Sequence, residues 1–230
     1  MKKPLTIVGI ILLIDQSVKF WIKTNMSLGQ EYKVLGDWFI IHFTENPGMA
    51  FGLEFAGEYG KLALSIFRII AIIGIFYYLW KITRKEVHTG LLVSLSLVLA
   101  GAMGNMIDSA FYGMLFSSSN YFEVARFLPA EGGYATFLHG KVVDMLYFPV
   151  IQGYYPSWVP WLGGNEFVFF RPVFNIADSS ITIGVLLLII FQNKFFHTTE
   201  KSETAAVEES AENAEIQPES VMHPETDLNN

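Results

Sequence analysis

The chain contains no cysteine. Disulfide frameworks, thiol nucleophiles and thiolate metal sites are therefore excluded. Charge is scarce too: 16% of the 230 residues are Asp, Glu, Lys or Arg, against roughly 25% in soluble domains. The histidines (His42, His88, His139, His197 and His223) are scattered, with no H-x-x-x-H or H-E-x-x-H spacing. A clustered imidazole metal site thus has no support. The acidity implied by a net charge of −7 is absent from most of the chain. Residues 200–230 hold nine acids and one lysine, whereas the preceding 199 residues hold thirteen acids and fourteen bases. That tail is rich in Glu, Ser and Ala and has no aromatic residue. It cannot bury enough apolar surface to order itself and is expected to be a disordered appendage.

What the chain has in abundance is hydrocarbon, with 52% hydrophobic residues and a positive mean hydropathy. Four runs, roughly Leu5–Ile22, Leu62–Trp80, Gly90–Ile107 and Pro172–Phe191, approach the ~20 helical residues needed to cross a hydrocarbon core. The first follows Met-Lys-Lys-Pro like a secretory signal, but Asp15 and Lys19 interrupt it and no small-x-small cleavage site follows. It is expected to be a retained span. Lys2 and Lys3, then Lys81, Arg84 and Lys85, then Lys194 flank the spans at places that must share one side, and short basic flanks mark the cytoplasmic side.

The expected fold is therefore an all-α membrane bundle with a small extracytoplasmic β element, four transmembrane helices and both termini cytoplasmic. Residues 1–199 form the membrane domain, with outer segments 23–61 and 108–171, and 200–230 form the acidic cytoplasmic tail. Val34–Thr44 is rich in β-branched and aromatic residues and is followed by Asn46-Pro47-Gly48, which predicts a small sheet with a turn. The segment 109–171 carries 17 aromatics among 63 residues, suited either to the headgroup level of a membrane or to the core of a small domain.

At about 1.5 Å per residue, the polar residues within the runs fall at one depth. Asp15 is placed about 10 Å, and Arg68 and Asp178 about 9 Å, below the outer ends of their spans. Asn105 and Asp108 are placed at the outer end of span 3, and Asn175 one turn above Asp178. Each has an ordinary explanation. Asp15 and Lys19 can pair at i, i+4, Arg68 can snorkel or neutralise a nearby acid, and Asn105 and Asn175 can link helices. A polar layer confined to one leaflet instead predicts a site entered from the outer side. A conduction path would need polar residues through the whole thickness.

Without cysteine, and with Ser17 on a different helix face from Lys19, carboxylates are the remaining catalytic candidates. Two Asp residues sharing a proton can divide the roles of base and acid. Asp178 is one candidate. Asp144, in the apolar stretch Lys141–Leu146, is a second, although an Asp in that setting is often a cap or turn residue.

Five blocks occur in order: Asp15-Gln16-Ser17-Val18-Lys19, Asn46-Pro47-Gly48-Met49-Ala50-Phe51, Gly104-Asn105-Met106-Ile107-Asp108, Val142-Val143-Asp144 and Phe174-Asn175-Ile176-Ala177-Asp178. On a four-span frame this set resembles the bacterial lipoprotein signal peptidases (type II), over roughly residues 5–195. The resemblance implies a multi-pass aspartic endopeptidase of the bacterial cytoplasmic (inner) membrane, with its active site facing the outer leaflet. It would cut prolipoproteins before a diacylglyceryl-modified Cys. It implies Asp144 and Asp178 as the catalytic pair. Asp15, Lys19, Asn46, Gly48, Asn105, Asp108 and Asn175 would contact substrate or support the site. The expected partners are diacylglyceryl-prolipoproteins and membrane lipid, with no cofactor, no metal and no nucleic acid.

Two departures stand out. Ser109 follows Asp108 where the family usually has Arg, so the role of that Arg would fall to another group, such as Arg68 or Arg126, or to none. The segments between Asp108 and Asp144 and from Pro149 to Arg171 are also longer than is common, as an added lid or contact surface would be. The rival readings are an ion-coupled carrier, which would show repeats and broken helices near the midplane, and a scaffold whose acidic tail recruits partners.

Overall fold

The computed structural model describes residues 1–47, 57–169 and 172–215. Helix α1 spans Lys2–Asn25, with Pro4 in its first turn, where a missing N–H costs nothing. A hairpin follows, β1 (Glu31–Leu35) and β2 (Phe39–Asn46). Its turn lies at Gly36–Trp38, before the Asn46-Pro47-Gly48 turn read from the sequence, and Gly36 supplies a φ of +54° there, which suits glycine. Helices α2 (Gly57–Ile82) and α3 (Thr89–Ile107) are joined by a short basic turn. The nitrogen of His88 caps α3 by accepting from the Gly90 N–H at 3.0 Å.

The third span does not end at Ile107. It continues through a π-helical turn, Asp108–Tyr112, and a last turn, α4 (Gly113–Leu115). Asn105 and Asp108 therefore lie inside a 27-residue helical segment, Thr89–Leu115, and not at its end. The polarity of Asp108-Ser109 reads locally as an end, but wide π turns accommodate such residues within helices, often at functional sites. A long lobe then returns to β3 (Val142–Tyr147), followed by a separate hairpin of β4 (Ile151–Tyr154) and β5 (Glu166–Phe169).

The fourth span also starts later than its apolar run. Val173 and Phe174 form strand β6, and the helix, α5, begins at Ile176 and runs to Glu215. The cause is tertiary: Phe174 pairs with Leu146 and Val173 with Tyr147. Asp178 accordingly sits in the first turn of α5, not six residues into it. At its far end α5 extends into the acidic stretch expected to lack order. Ala and Glu there are strong helix formers.

Among the described residues, four helices are long and apolar enough to cross a membrane. Half of the most apolar stretch of Thr89–Leu115 is buried inside the protein, against 11% for that of α2, so the span that begins with α3 is the central one. Small residues let α5 approach it closely: a Cβ on Gly101 would stand 2.2 Å from the Ala177 carbonyl. The other helices turn side chains such as Leu13, Phe67, Ile70 and Ile190 outward. At one end of the bundle sits an antiparallel sheet in the order β1-β2-β3-β6. Beneath it, Ile22, Met26, Phe43, Phe116, Val143 and Met145 form an apolar cluster.

Candidate active site

Sheet register brings the two candidate carboxylates together. Asp144 is central in β3, opposite Thr44 of β2. Two residues further on, Leu146 pairs with Phe174, and the chain passes through Asn175 directly into α5. The first turn of α5 is closed reciprocally: the Asp178 N–H donates to Asn175 Oδ1 at 2.8 Å, and the Asn175 N–H donates to Asp178 Oδ2 at 3.3 Å. This has the form of a capping box. Part of the pairing is thus ordinary helix-end chemistry.

The Asn175 amide does more than cap. Its Nδ2 donates to Asp144 Oδ1 at 2.6 Å and lies 3.1 Å from Asn105 Oδ1 and 3.3 Å from the Val143 carbonyl. Two hydrogens thus serve three acceptors. Asn105 in turn donates to Asp178 Oδ1 at 2.7 Å. Asp144 and Asp178 are therefore joined through two amides. Asp144 is 4% exposed, and burial, followed by the charge of Asp178, raises its pKa to about 7.

Behind this pair, Lys19 is fully buried. Its ammonium lies 2.8 Å from Asp108 Oδ2, 3.1 Å from Asp15 Oδ2 and 2.9 Å from Asn105 Oδ1. The two carboxylates keep further donors. Asp15 Oδ1 accepts the Ala177 N–H at 2.9 Å, and Asp108 accepts Gln16 Nε2 at 2.9 Å and the Val143 N–H at 3.2 Å. Buried charges persist only when paired and hydrogen-bonded in this way. The i, i+4 pair of Asp15 and Lys19 exists, but as part of a larger network that ties α1 and α3 to β3 and the start of α5.

The structure thus gathers Asp15, Lys19, Asn105, Asp108, Asp144, Asn175 and Asp178 at one end of the bundle. Asn46 sits at the end of β2, opposite Val142. Gly48 lies outside the described residues. Ser109 is buried and donates back to the Asn105 carbonyl at 3.0 Å. Of the two arginines considered as substitutes, half-buried Arg68 on α2 is within electrostatic range of Asp178, whereas Arg126 is exposed on the lobe. Gln16, in the first block but outside the expected site residues, bridges Asp15 and Asp108. Its signal was an amide adjoining Asp15 within an apolar run. A second buried pair, Lys23 with Glu45, joins α1 to β2 outside the expected site residues.

Four spans enclosing a sheet-capped cluster of carboxylates, amides and one ammonium define a multi-span membrane protein with an enzyme-like site. A family model described as signal peptidase (SPase) II matches residues 7–194. A lipoprotein signal peptidase of Porphyromonas gingivalis is 53% identical over 185 residues, covering 80% of this chain and 80% of its own. One from Amoebophilus asiaticus is 42% identical over 196 residues, covering 82% and 78%. A solved structure described as a bacterial membrane enzyme aligns with a TM-score of 0.55 at 26% identity, covering 84% of this chain and 89% of that one. The chain belongs to the signal peptidase II family.

Proposed function

We propose that this protein removes signal peptides from diacylglyceryl-modified prolipoproteins, cleaving before the lipid-modified Cys, and that Asp144 and Asp178 form its catalytic dyad. The observation that carries this reading is the joining of Asp144 to Asp178 through Asn175 and Asn105. Asp178, at a helix N-terminus where negative charge is favoured, takes a proton from water as the oxygen attacks the scissile carbonyl carbon. Asp144 holds its proton near neutrality and passes it to the carbonyl oxygen. Collapse of the tetrahedral intermediate breaks the C–N bond. Asp178 gives its proton to the departing amine and a hydroxyl of the intermediate returns one to Asp144, so the dyad is restored and the signal peptide leaves as a carboxylic acid that ionises in solvent. No metal or cofactor enters this scheme.

The same reading places both termini in the cytoplasm and the site toward the outer leaflet of the inner membrane. It is supported by the basic flanks at the end of the bundle away from the sheet. A diacylated Cys holds its peptide bond near that interface, within reach of a site beneath the sheet. Lys19, Asp15, Asp108 and Asn105 support the dyad, and Asn46 and Gly48 belong to the substrate approach. The test is cleavage of a lipid-modified precursor by Asp144→Asn and Asp178→Asn enzymes that insert and fold normally. Each is expected to lose at least ~100-fold in turnover, as removal of a general acid or base does. Near-normal turnover by either variant refutes the dyad.

A further inference from the structure

The long lobe between the π turn and β3 comes back to the site at residues 138–141, and this return segment is unusually well anchored. The Gly140 N–H donates to the Ser109 carbonyl at 2.8 Å, and the Leu138 N–H reaches the Ala110 carbonyl at 3.4 Å. Both acceptors belong to the π turn, whose altered ladder leaves carbonyls in need of donors. From α2, Lys61 Nζ donates to the His139 carbonyl at 2.7 Å. The Lys141 N–H donates to the Tyr134 hydroxyl at 2.7 Å, and its ammonium lies 3.2 Å from Glu45 Oε2. Leu138 meets these demands at a φ of +66°, a strained conformation for a branched side chain.

At the centre of this anchorage, a Cβ on Gly140 would stand 2.2 Å from the Asp108 carbonyl oxygen, 2.9 Å from the Gly113 nitrogen and 3.0 Å from the Ser109 carbonyl oxygen. All three are backbone atoms that cannot swing aside. Asp108 also binds the Val143 N–H through its carboxylate. The π turn therefore holds the chain twice shortly before Asp144, at Gly140 through the Ser109 carbonyl and at Val143 through the Asp108 carboxylate.

We propose that Gly140 is a positioning residue for Asp144: its bare Cα lets the lobe seat on the π turn, so that the turn fixes the chain leading to Asp144 at two points, through the Ser109 carbonyl at Gly140 and the Asp108 carboxylate at Val143. This rests on the reading of Asp144 as catalytic. A Cβ at position 140 forces the return segment off the turn and lets Asp144 drift out of its buried setting. The groups that face Asp144 there are Asp178 of α5, Asn175 ahead of it, Lys19 of α1 and Asp108 of the π turn.

The test compares Gly140→Ala with Gly153→Ala, a β4 position where a Cβ meets nothing within 4 Å. Both are made in the full chain, reconstituted in lipid, with kcat, KM and pH profile measured on a lipid-modified precursor. For Gly140→Ala the expected result is a kcat at least tenfold lower, KM within about twofold of the parent, and an alkaline limb displaced to lower pH as Asp144 gains water. A purely structural role would reduce only the amount of active enzyme and leave the limb in place, and that result overturns the proposal. So does parental behaviour throughout. If Gly140→Ala does not fold, Tyr134→Phe takes its place, since it removes only the acceptor of the Lys141 N–H. A smaller displacement of the limb in the same direction supports the proposal, and an unmoved limb overturns it. Should Asp144→Asn keep near-normal turnover, the dyad fails independently of these variants. An inactive Asp144→Asn beside an unaltered Gly140→Ala rejects the present inference alone.

Discussion

The amide nitrogen of Asn175 lies 2.6 Å from Asp144 Oδ1, while the oxygen of the same amide accepts the Asp178 N–H at 2.8 Å. A single side chain thereby fixes the spacing between a strand residue and a helix residue. Asn175→Ala removes both bonds and uncaps α5. An N-cap lost to Ala costs about 1 kcal/mol, too little to unfold the chain. The misplaced dyad should nevertheless cost about 10- to 100-fold in kcat, in line with the effect of misplacing catalytic groups. Single-turnover cleavage of a lipid-modified precursor, alongside a thermal unfolding scan, separates the two effects.

The pH dependence follows from Asp144. Burial first and Asp178 second raise its carboxyl to about 7. The protonated, donating form is thus present below that value and lost above it, and activity should fall as pH rises through about 7. Stability runs the same way. The folded state holds this proton more tightly than the unfolded chain, so the contribution is full at acid pH and is lost as pH climbs from the ordinary carboxylate range to about 7. Asp144→Asn keeps a neutral group of the same shape. It should flatten this part of the thermal midpoint against pH, and an unchanged slope would place the titration elsewhere.

Much of this was legible from residue chemistry alone. Apolar length announced the four spans, and Asp15, Lys19, Asn105, Asp108, Asn175 and Asp178 stood out because polar groups inside such runs are costly. The boundaries were not legible, since they depend on partners remote in sequence. Val173 and Phe174 are strand because β3 lies beside them, and Asp108 is interior because the helix widens there instead of stopping. Counting from Pro172 therefore placed Asp178 too deep. Gly140 carried no local sign at all, because its closeness to Asp108 exists only once the lobe has folded back.

Lys19 offers a test of the supporting network. It is one buried ammonium between two buried carboxylates, Asp15 and Asp108. Lys19→Met leaves both anions without their counter-charge, and breaking a buried pair from one side costs about 3–5 kcal/mol. Adding Asp108→Asn to Lys19→Met removes one stranded charge and should recover part of the loss. Thermal unfolding of the reconstituted single and double variants measures this coupling. Simple additivity would show that the ammonium and Asp108 do not act as a pair.

Helix packing gives the last prediction, which touches no polar side chain. A Cβ on Gly101 would stand 2.2 Å from the Ala177 carbonyl and 2.6 Å from Ile181 Cγ1, where α3 and α5 approach as small residues allow. The Ala177 N–H is held by Asp15, and Asp178 follows in the chain. Gly101→Ala must therefore push the first turn of α5 outward and carry Asp178 away from Asn105. Turnover is expected to fall at least tenfold while helical content is kept. Gly74→Ala on α2, where a Cβ meets nothing within 4 Å, should be neutral or slightly stabilising, since Ala is the better helix former. Equal activity in the two variants would show that the close approach of α3 to α5 does not set the position of Asp178.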